Sequence, residues 1–214
     1  MYYELLKLNR LVYLLSISLL IIFFTYFIQS TYLTESVFYN TYAANMSSER
    51  IELLLENIKK YQWLGYSLLP VLLLIKVLYN SFILITGTLL VDRNFRFPDL
   101  FNVCLKAEMV FLLMFVGKII TLNFFKHIDV TGDINFIPVS LANFFTTTSL
   151  PKWLIYPMQT FNIWEVLYCI VGSCLFAAQF DMPRKKAALL FCGSYISGLL
   201  IIMVISIFLI LSFS

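Results

Sequence analysis

Residues 162–180 read NIWEVLYCIVGSCLFAAQF, and the basic turn DMPRKK follows at once. A run this long and this apolar approaches the ~30 Å hydrocarbon core of a bilayer when helical. Arg184, Lys185 and Lys186 at its end predict a cytoplasmic face there, because short cytoplasmic loops carry an excess of Lys and Arg. Asn162, three residues before Glu165, predicts the helix start and comes close to a capping box. Pro151 and Pro157 lie just upstream. Neither has a backbone N–H, so the segment they bracket is expected to be broken or irregular. Trp153 and Tyr156 between them suit the water–lipid boundary.

The rest of the chain divides around this span. Four further apolar runs cover 11–28, 63–91, 98–125 and 187–213. With 162–180 they predict an all-α integral membrane bundle of five helices in a single domain, 1–214. Composition agrees. The chain is 61% hydrophobic and 13% charged, against about 25% charged in a soluble domain. A basic head before the run 11–28 also fits a signal peptide. The run is longer than a usual h-region and no A-x-A site follows it, so a retained span is expected.

Two long outer loops are expected at 29–61 and 126–159. In the first, Ser47, Ser48 and Glu49 predict a helix start. Ile51, Leu54, Leu55 and Ile58 then share a face opposite Glu52, Glu56 and Lys60. This predicts an amphipathic helix on the membrane, stacked over the bundle, or leading into the second span. Residues 138–145 in the second loop predict an interfacial or re-entrant piece. Gly65 and Pro70 are the expected bend points of the second span. Pro98 and Asp99 suit the first turn of the third.

Basic residues set the orientation. With the N-terminus in the cytoplasm, Lys7, Arg10, Arg93, Arg96, Arg184, Lys185 and Lys186 fall in short inner segments. Arg50, Lys59, Lys60, Lys126 and Lys152 are spread through the long outer loops. Density near span ends decides such comparisons, so the N-terminus is expected inside and the C-terminus outside, in a bacterial inner membrane.

Five polar residues fall within the apolar runs: Lys76, Asn80, Glu108, Lys118 and Glu165. A charge near the bilayer centre costs at least ~2.5–3.5 kcal/mol, so each needs a partner, a wet cavity or a route to the interface. Lys76 lies near mid-span and shares a helical stripe with Asn80 and Gly87, which is expected to face the bundle interior. Glu108 is expected within reach of headgroup water. Lys118 and Glu165 fall at similar depth on consecutive helices, which predicts an ion pair. Snorkelling for Lys118 and capping for Glu165 are the alternatives. Gly172, Ser173, Cys174, Ala177 and Ala178, with the pairs Gly193/Ser197 and Ser194/Gly198, are expected to be packing surfaces.

The residues offer little for catalysis. His127 is the one histidine, and there is no P-loop and no G-x-S-x-G, which excludes the common metal, nucleotide and serine-hydrolase motifs. Ser67 and Ser81 are off the face of Lys76. Cys104, Cys169, Cys174 and Cys192 lie in or beside apolar runs and are expected as free thiols. No cofactor or metal is expected. The net charge of +3 gives no reason to expect nucleic acid. The expected partners are the bilayer and either a protein or further copies of the chain.

FPDLF at 97–101, FNIWE at 161–165 and the basic turn 184–186 resemble the Yip1 family of five-span membrane proteins. The resemblance covers roughly 62–213 and implies a fold and a topology without an activity. The functional expectation is a non-enzymatic scaffold or accessory subunit of a membrane complex. The alternative is a small-solute or lipid transporter with Lys76 facing its pathway.

Overall fold

The computed structural model describes residues 9–89, 95–145 and 150–213. Lys7 and Arg93, used above for orientation, lie outside them. The described chain is helical throughout, with one isolated antiparallel bridge between Ser140 and Asn162 and no strands. Helix α1 spans Arg10–Tyr32, α2 Glu35–Tyr42, α3 Ser48–Thr88, α4 Phe97–Ala107 and α5 Met109–Phe124. Short 3-10 helices follow at Thr131–Asn135 and Leu141–Phe144, then α6 Lys152–Thr160, α7 Ile163–Gln179 and α8 Arg184–Phe213. Among the described residues, α1, α3 and α8 are long and apolar enough to cross a membrane.

Local chemistry explains several helix ends. Asn9 Oδ1 accepts from Leu11 N at 3.0 Å and starts α1. Asn162 Oδ1 accepts from Glu165 N at 2.9 Å and starts α7. Pro98 and Asp99 stand in the first turn of α4. Helix α7 stops where Asp181 takes a left-handed backbone (φ 46°). Met182 N then donates to Ala177 O at 3.1 Å, a Schellman closure that turns the chain towards α8.

Two expectations, for the third span and for the segment between the prolines, are corrected. The amphipathic segment of the first loop takes one of its expected alternatives: it leads into the second span as one helix of 41 residues, which runs through Gly65 and Pro70. At 1.5 Å per residue it is about 61 Å long, roughly twice the hydrocarbon core. The third span is divided at Glu108. There Glu108 N donates to Leu105 O and Phe111 N donates to Glu108 O, both across three residues, so the helix tightens for one turn. The segment between Pro151 and Thr160 is helical. Pro151 supplies the extended N-cap, and Pro157 sits inside α6 without the N–H that a bond to Trp153 would need.

The core lies where α4, α7 and α8 meet α3. Val77, Leu100, Val103, Leu105, Tyr168 and Phe176 are fully buried there. Helix α1 joins this packing through Ile17, and Tyr13 donates its hydroxyl to Lys106 O at 3.1 Å. Small residues permit the closest approaches. A Cβ on Gly172 would lie 2.2 Å from the Phe191 ring. Ser194 lies against Gly87, and Gly198 lies against Ile83 and accepts from Tyr79 Oη at 2.8 Å. The other expected pair, Gly193 and Ser197, is exposed and packs against nothing close at Gly193. It is turned about 100° around α8 from the stripe that meets α3.

The two long loops meet at one end of the bundle. Thr131 N donates to Thr41 Oγ1 at 2.8 Å, and Gln159 Nε2 donates to Asn135 O at 2.9 Å. Helix α2 packs on the first turns of α3, with Lys59 bonded to Glu35 at 2.8 Å and Tyr39 to Glu52 at 3.3 Å. At the other end Arg10 reaches Asp99 at 3.2 Å. The start of α1 therefore lies beside the start of α4, on the side of the short turns.

Candidate functional site

Four of the five polar residues named above, all but Lys118, converge on one cluster, built from α3 outward. Lys76 leaves the second half of α3, and its Nζ lies 2.8 Å from Glu108 Oε2. The tightened turn between α4 and α5 delivers Glu108 to that point. The Lys76 ammonium also stands 3.4 Å from the centroid of Phe111 and 5.8 Å from that of Tyr168, close enough for cation–π attraction. The Glu108 side chain is 2% exposed and that of Lys76 is 39%. Glu108 is thus closed off by protein, where access to headgroup water was expected. Its second oxygen, Oε1, is buried and has no hydrogen-bond partner.

One turn along α3, Asn80 Nδ2 donates to Tyr168 Oη at 3.4 Å, and Tyr168 Oη donates to Cys104 O at 3.4 Å. Tyr168 is fully buried and carries the cluster across to α8, where its ring lies 4.5 Å from that of Tyr195. Tyr195 Oη donates to Glu165 Oε2 in a short hydrogen bond. Lys76, Asn80, Glu108 and Glu165 therefore belong to one connected arrangement, closed by Phe111, Tyr168 and Tyr195. The Lys76–Asn80–Gly87 stripe faces the interior as its spacing predicts.

The expected ion pair between Lys118 and Glu165 is absent. Lys118 Nζ instead lies 5.4 Å from the Phe136 ring, under the second long loop. Ten helical residues separate Lys118 from Glu108, a rotation of roughly 80° by helix geometry, so the two leave the third span in different directions. Glu165 faces α8. The backbone half of the expected capping box is made by Asn162. The other half is not, because the Glu165 carboxylate is taken by Tyr195.

Phe111, Tyr168 and Tyr195 were not expected. Tyr168 follows Glu165 by three residues on one helix face, a spacing that could have identified it. Tyr195 gives no such local signal, since its role depends on how α7 and α8 pack. Depth could have identified the Lys76–Glu108 pair. Lys76 lies twelve residues before Thr88 and Glu108 eleven after Phe97, so both stand about 17 Å from the same short turn.

Ser81 Oγ donates to Val77 O at 2.6 Å and Ser67 Oγ to Trp63 O at 2.9 Å, so each hydroxyl serves its own helix. The four cysteines are free, and Cys104 is buried. Among the described residues no group of three His, Cys, Asp or Glu side chains is placed to hold a metal. What the arrangement does is hold α3, the α4–α5 turn, α7 and α8 in one register through charge and hydrogen bonds. Comparison of the chain with protein-family models, with curated proteins and with solved structures finds no match in any of the three.

Proposed function

We propose that the chain is a five-span membrane scaffold or accessory subunit that presents a helical arm to a partner protein. The observation that carries this reading is the first part of α3. About half of that helix exceeds what the bilayer needs, and it carries Glu49, Arg50, Glu52, Glu56, Lys59 and Lys60, which exclude it from the core. Ile51 and Leu55 on one side of the arm are buried beside α2. On another side Leu53 and Tyr61 remain 59% and 53% exposed, and Ile58, at the edge of the buried face, remains 39% exposed. An exposed apolar stripe outside the membrane fits a protein contact.

The five-span, Yip1-like plan is part of the proposal, with the N-terminus in the cytoplasm and the C-terminus outside a bacterial inner membrane. It is supported by length: α4 and α5 together run about 40 Å, and the 17 residues of α7 reach the lower limit for a crossing helix. Photocrosslinking from Leu53 in native membranes tests the reading. A discrete adduct above 24.9 kDa, absent from a probe at lipid-facing Leu72, is expected. Equal, diffuse adducts from both sites would contradict it.

A transport function is the second reading. It is favoured by the tightened turn that places Glu108 against a half-exposed Lys76 near mid-span, since broken helices with charged residues mark many solute sites. In a cysteine-free chain, labelling of Lys76→Cys by a membrane-impermeant thiol reagent would favour a water-filled path. Protection from both sides favours the scaffold.

A further inference from the structure

A cavity of about 500 Å³ opens beside the cluster, between the start of α7, the middle of α8 and the chain at 139–144. Its volume falls in the ~300–1,000 Å³ range of small-molecule sites. Most of its wall is apolar, carried by Val166, Cys169, Ile196 and Leu199. The wall contains one carboxylate, Glu165, and no Lys, Arg or His. Tyr195 occupies Glu165 Oε2, which leaves Oε1 without a hydrogen bond among the described residues. Ser140 also lines the cavity. It is 1% exposed, and its hydroxyl has no partner in the protein.

The backbone here is held in a costly shape. Val139 takes φ 57°, a left-handed conformation unfavourable for a β-branched residue. The turn brings Val139 O to Ile163 N at 3.3 Å and Leu141 N to Phe161 O at 2.9 Å. Ser140 is thereby fixed beside Asn162 at the start of α7, with Glu165 in the next turn. Two polar groups with unused hydrogen-bonding capacity thus stand at one edge of an apolar cleft that opens on the lipid-facing side of α8.

We propose that this cleft binds one bilayer lipid whose headgroup ends in a primary ammonium, with an acyl chain along the apolar wall. Charge complementarity selects the headgroup. The wall of the cleft itself presents a carboxylate and no cation, Lys76 being paired with Glu108 elsewhere in the cluster, so it disfavours phosphoglycerol and carboxylate heads and favours a cation. A primary ammonium donates an N–H to Glu165 Oε1, with the Ser140 hydroxyl buried behind that edge of the cleft. A quaternary ammonium has the charge and no N–H to give. This site rests on membrane integration alone and is independent of the scaffold reading.

The full chain, purified in mild detergent and titrated with single lipids, gives the test by native mass spectrometry. Phosphatidylethanolamine is expected to bind once per chain, at least fivefold more tightly than phosphatidylcholine or phosphatidylglycerol of the same acyl chains. Ile196→Trp fills the mouth of the cleft from a position that is 51% exposed, and it should remove the bound lipid while the protein stays folded. Glu165→Gln should reduce the ethanolamine preference to less than twofold. Equal binding of the three lipids, a preference for phosphatidylglycerol, or an ethanolamine preference that survives Ile196→Trp would each overturn the proposal. Loss of the preference in Ile196→Trp decides the matter even if Glu165→Gln fails to fold.

Discussion

Lys76 and Glu108 would each be a liability on an apolar helix, and their contact at 2.8 Å gives each a partner. Removing one leaves the other unpaired, at about 3–5 kcal/mol for a fully buried pair. The lower end applies here because the Lys76 side chain is 39% exposed. Lys76→Met should therefore destabilise the chain strongly in detergent, Glu108→Gln less, and Lys76→Met with Glu108→Gln less than the sum of the two. Thermal unfolding of the four proteins checks this, and additive losses would count against the pair. Lys118→Met and Glu165→Gln share no partner, so their effects should add to within about 0.5 kcal/mol. Outside the membrane, the Lys59 ammonium bonded to Glu35 holds that carboxyl below its ordinary range. Its small contribution to stability is present above the unfolded carboxyl value and is lost as pH falls through the depressed one. Lys59→Met should return the Glu35 titration to the ordinary range, read by NMR. The sequence makes Lys76, Asn80 and Glu108 visible as residues out of place, and equal depth could have paired Lys76 with Glu108. Equal depth misled at Lys118, because direction around the helix decides which neighbour a side chain meets. That direction depends on the tightened turn at Glu108, for which no Pro or Gly gives warning.

Helix contacts depend on where side chains are missing. Gly172 faces the Phe191 ring at a separation a methyl group cannot occupy, whereas Gly193 has open space. Gly172→Ala should cost about 1–3 kcal/mol through overpacking. Gly193→Ala should be neutral or stabilising by up to about 1 kcal/mol, since alanine favours the helix. Melting in detergent compares the two, and equal effects would mean that α7 and α8 do not pack as described. Asn162→Ala removes the α7 cap, worth about 1 kcal/mol, and with it the side-chain bonds to Gln159 O and Thr160 O. The start of α7 was legible because a cap acts within three residues. The start of α3 at Ser47 was legible from residue type, an extended Ser before Glu49 in the first turn, although the Ser47 side chain makes no cap bond there. The continuity of α3 was legible as one of the alternatives for its first part, although charged residues before Trp63 also suit a separate surface helix. The choice between the stripes Ser194/Gly198 and Gly193/Ser197 was closed to the sequence, since both have the same spacing and only α3 distinguishes them.

At the scale of the molecule, α1, α3 and α8 are long and apolar enough to cross a membrane. The ion pair of Arg10 with Asp99 and the bond of Thr131 to Thr41 gather the start of α1 and the long loops at opposite ends. Composition made the membrane class legible. Span number was harder, because α4–α5 is divided and α7 is only 17 residues long. The account holds that both nevertheless cross, and that both long loops consequently share one side. Three spans would put them on opposite sides, because the chain from Phe97 to Gln179 would then stay where α3 ends. Cysteine accessibility separates the two arrangements directly. In a chain with Cys104, Cys169, Cys174 and Cys192 replaced by Ser or Ala, single cysteines are placed at Asn57, Asn143, Arg96 and Lys185. A membrane-impermeant maleimide applied outside intact cells should label Asn57→Cys and Asn143→Cys, and should reach Arg96→Cys and Lys185→Cys only after permeabilisation. Labelling of Asn57→Cys with protection of Asn143→Cys would contradict the five-span bundle.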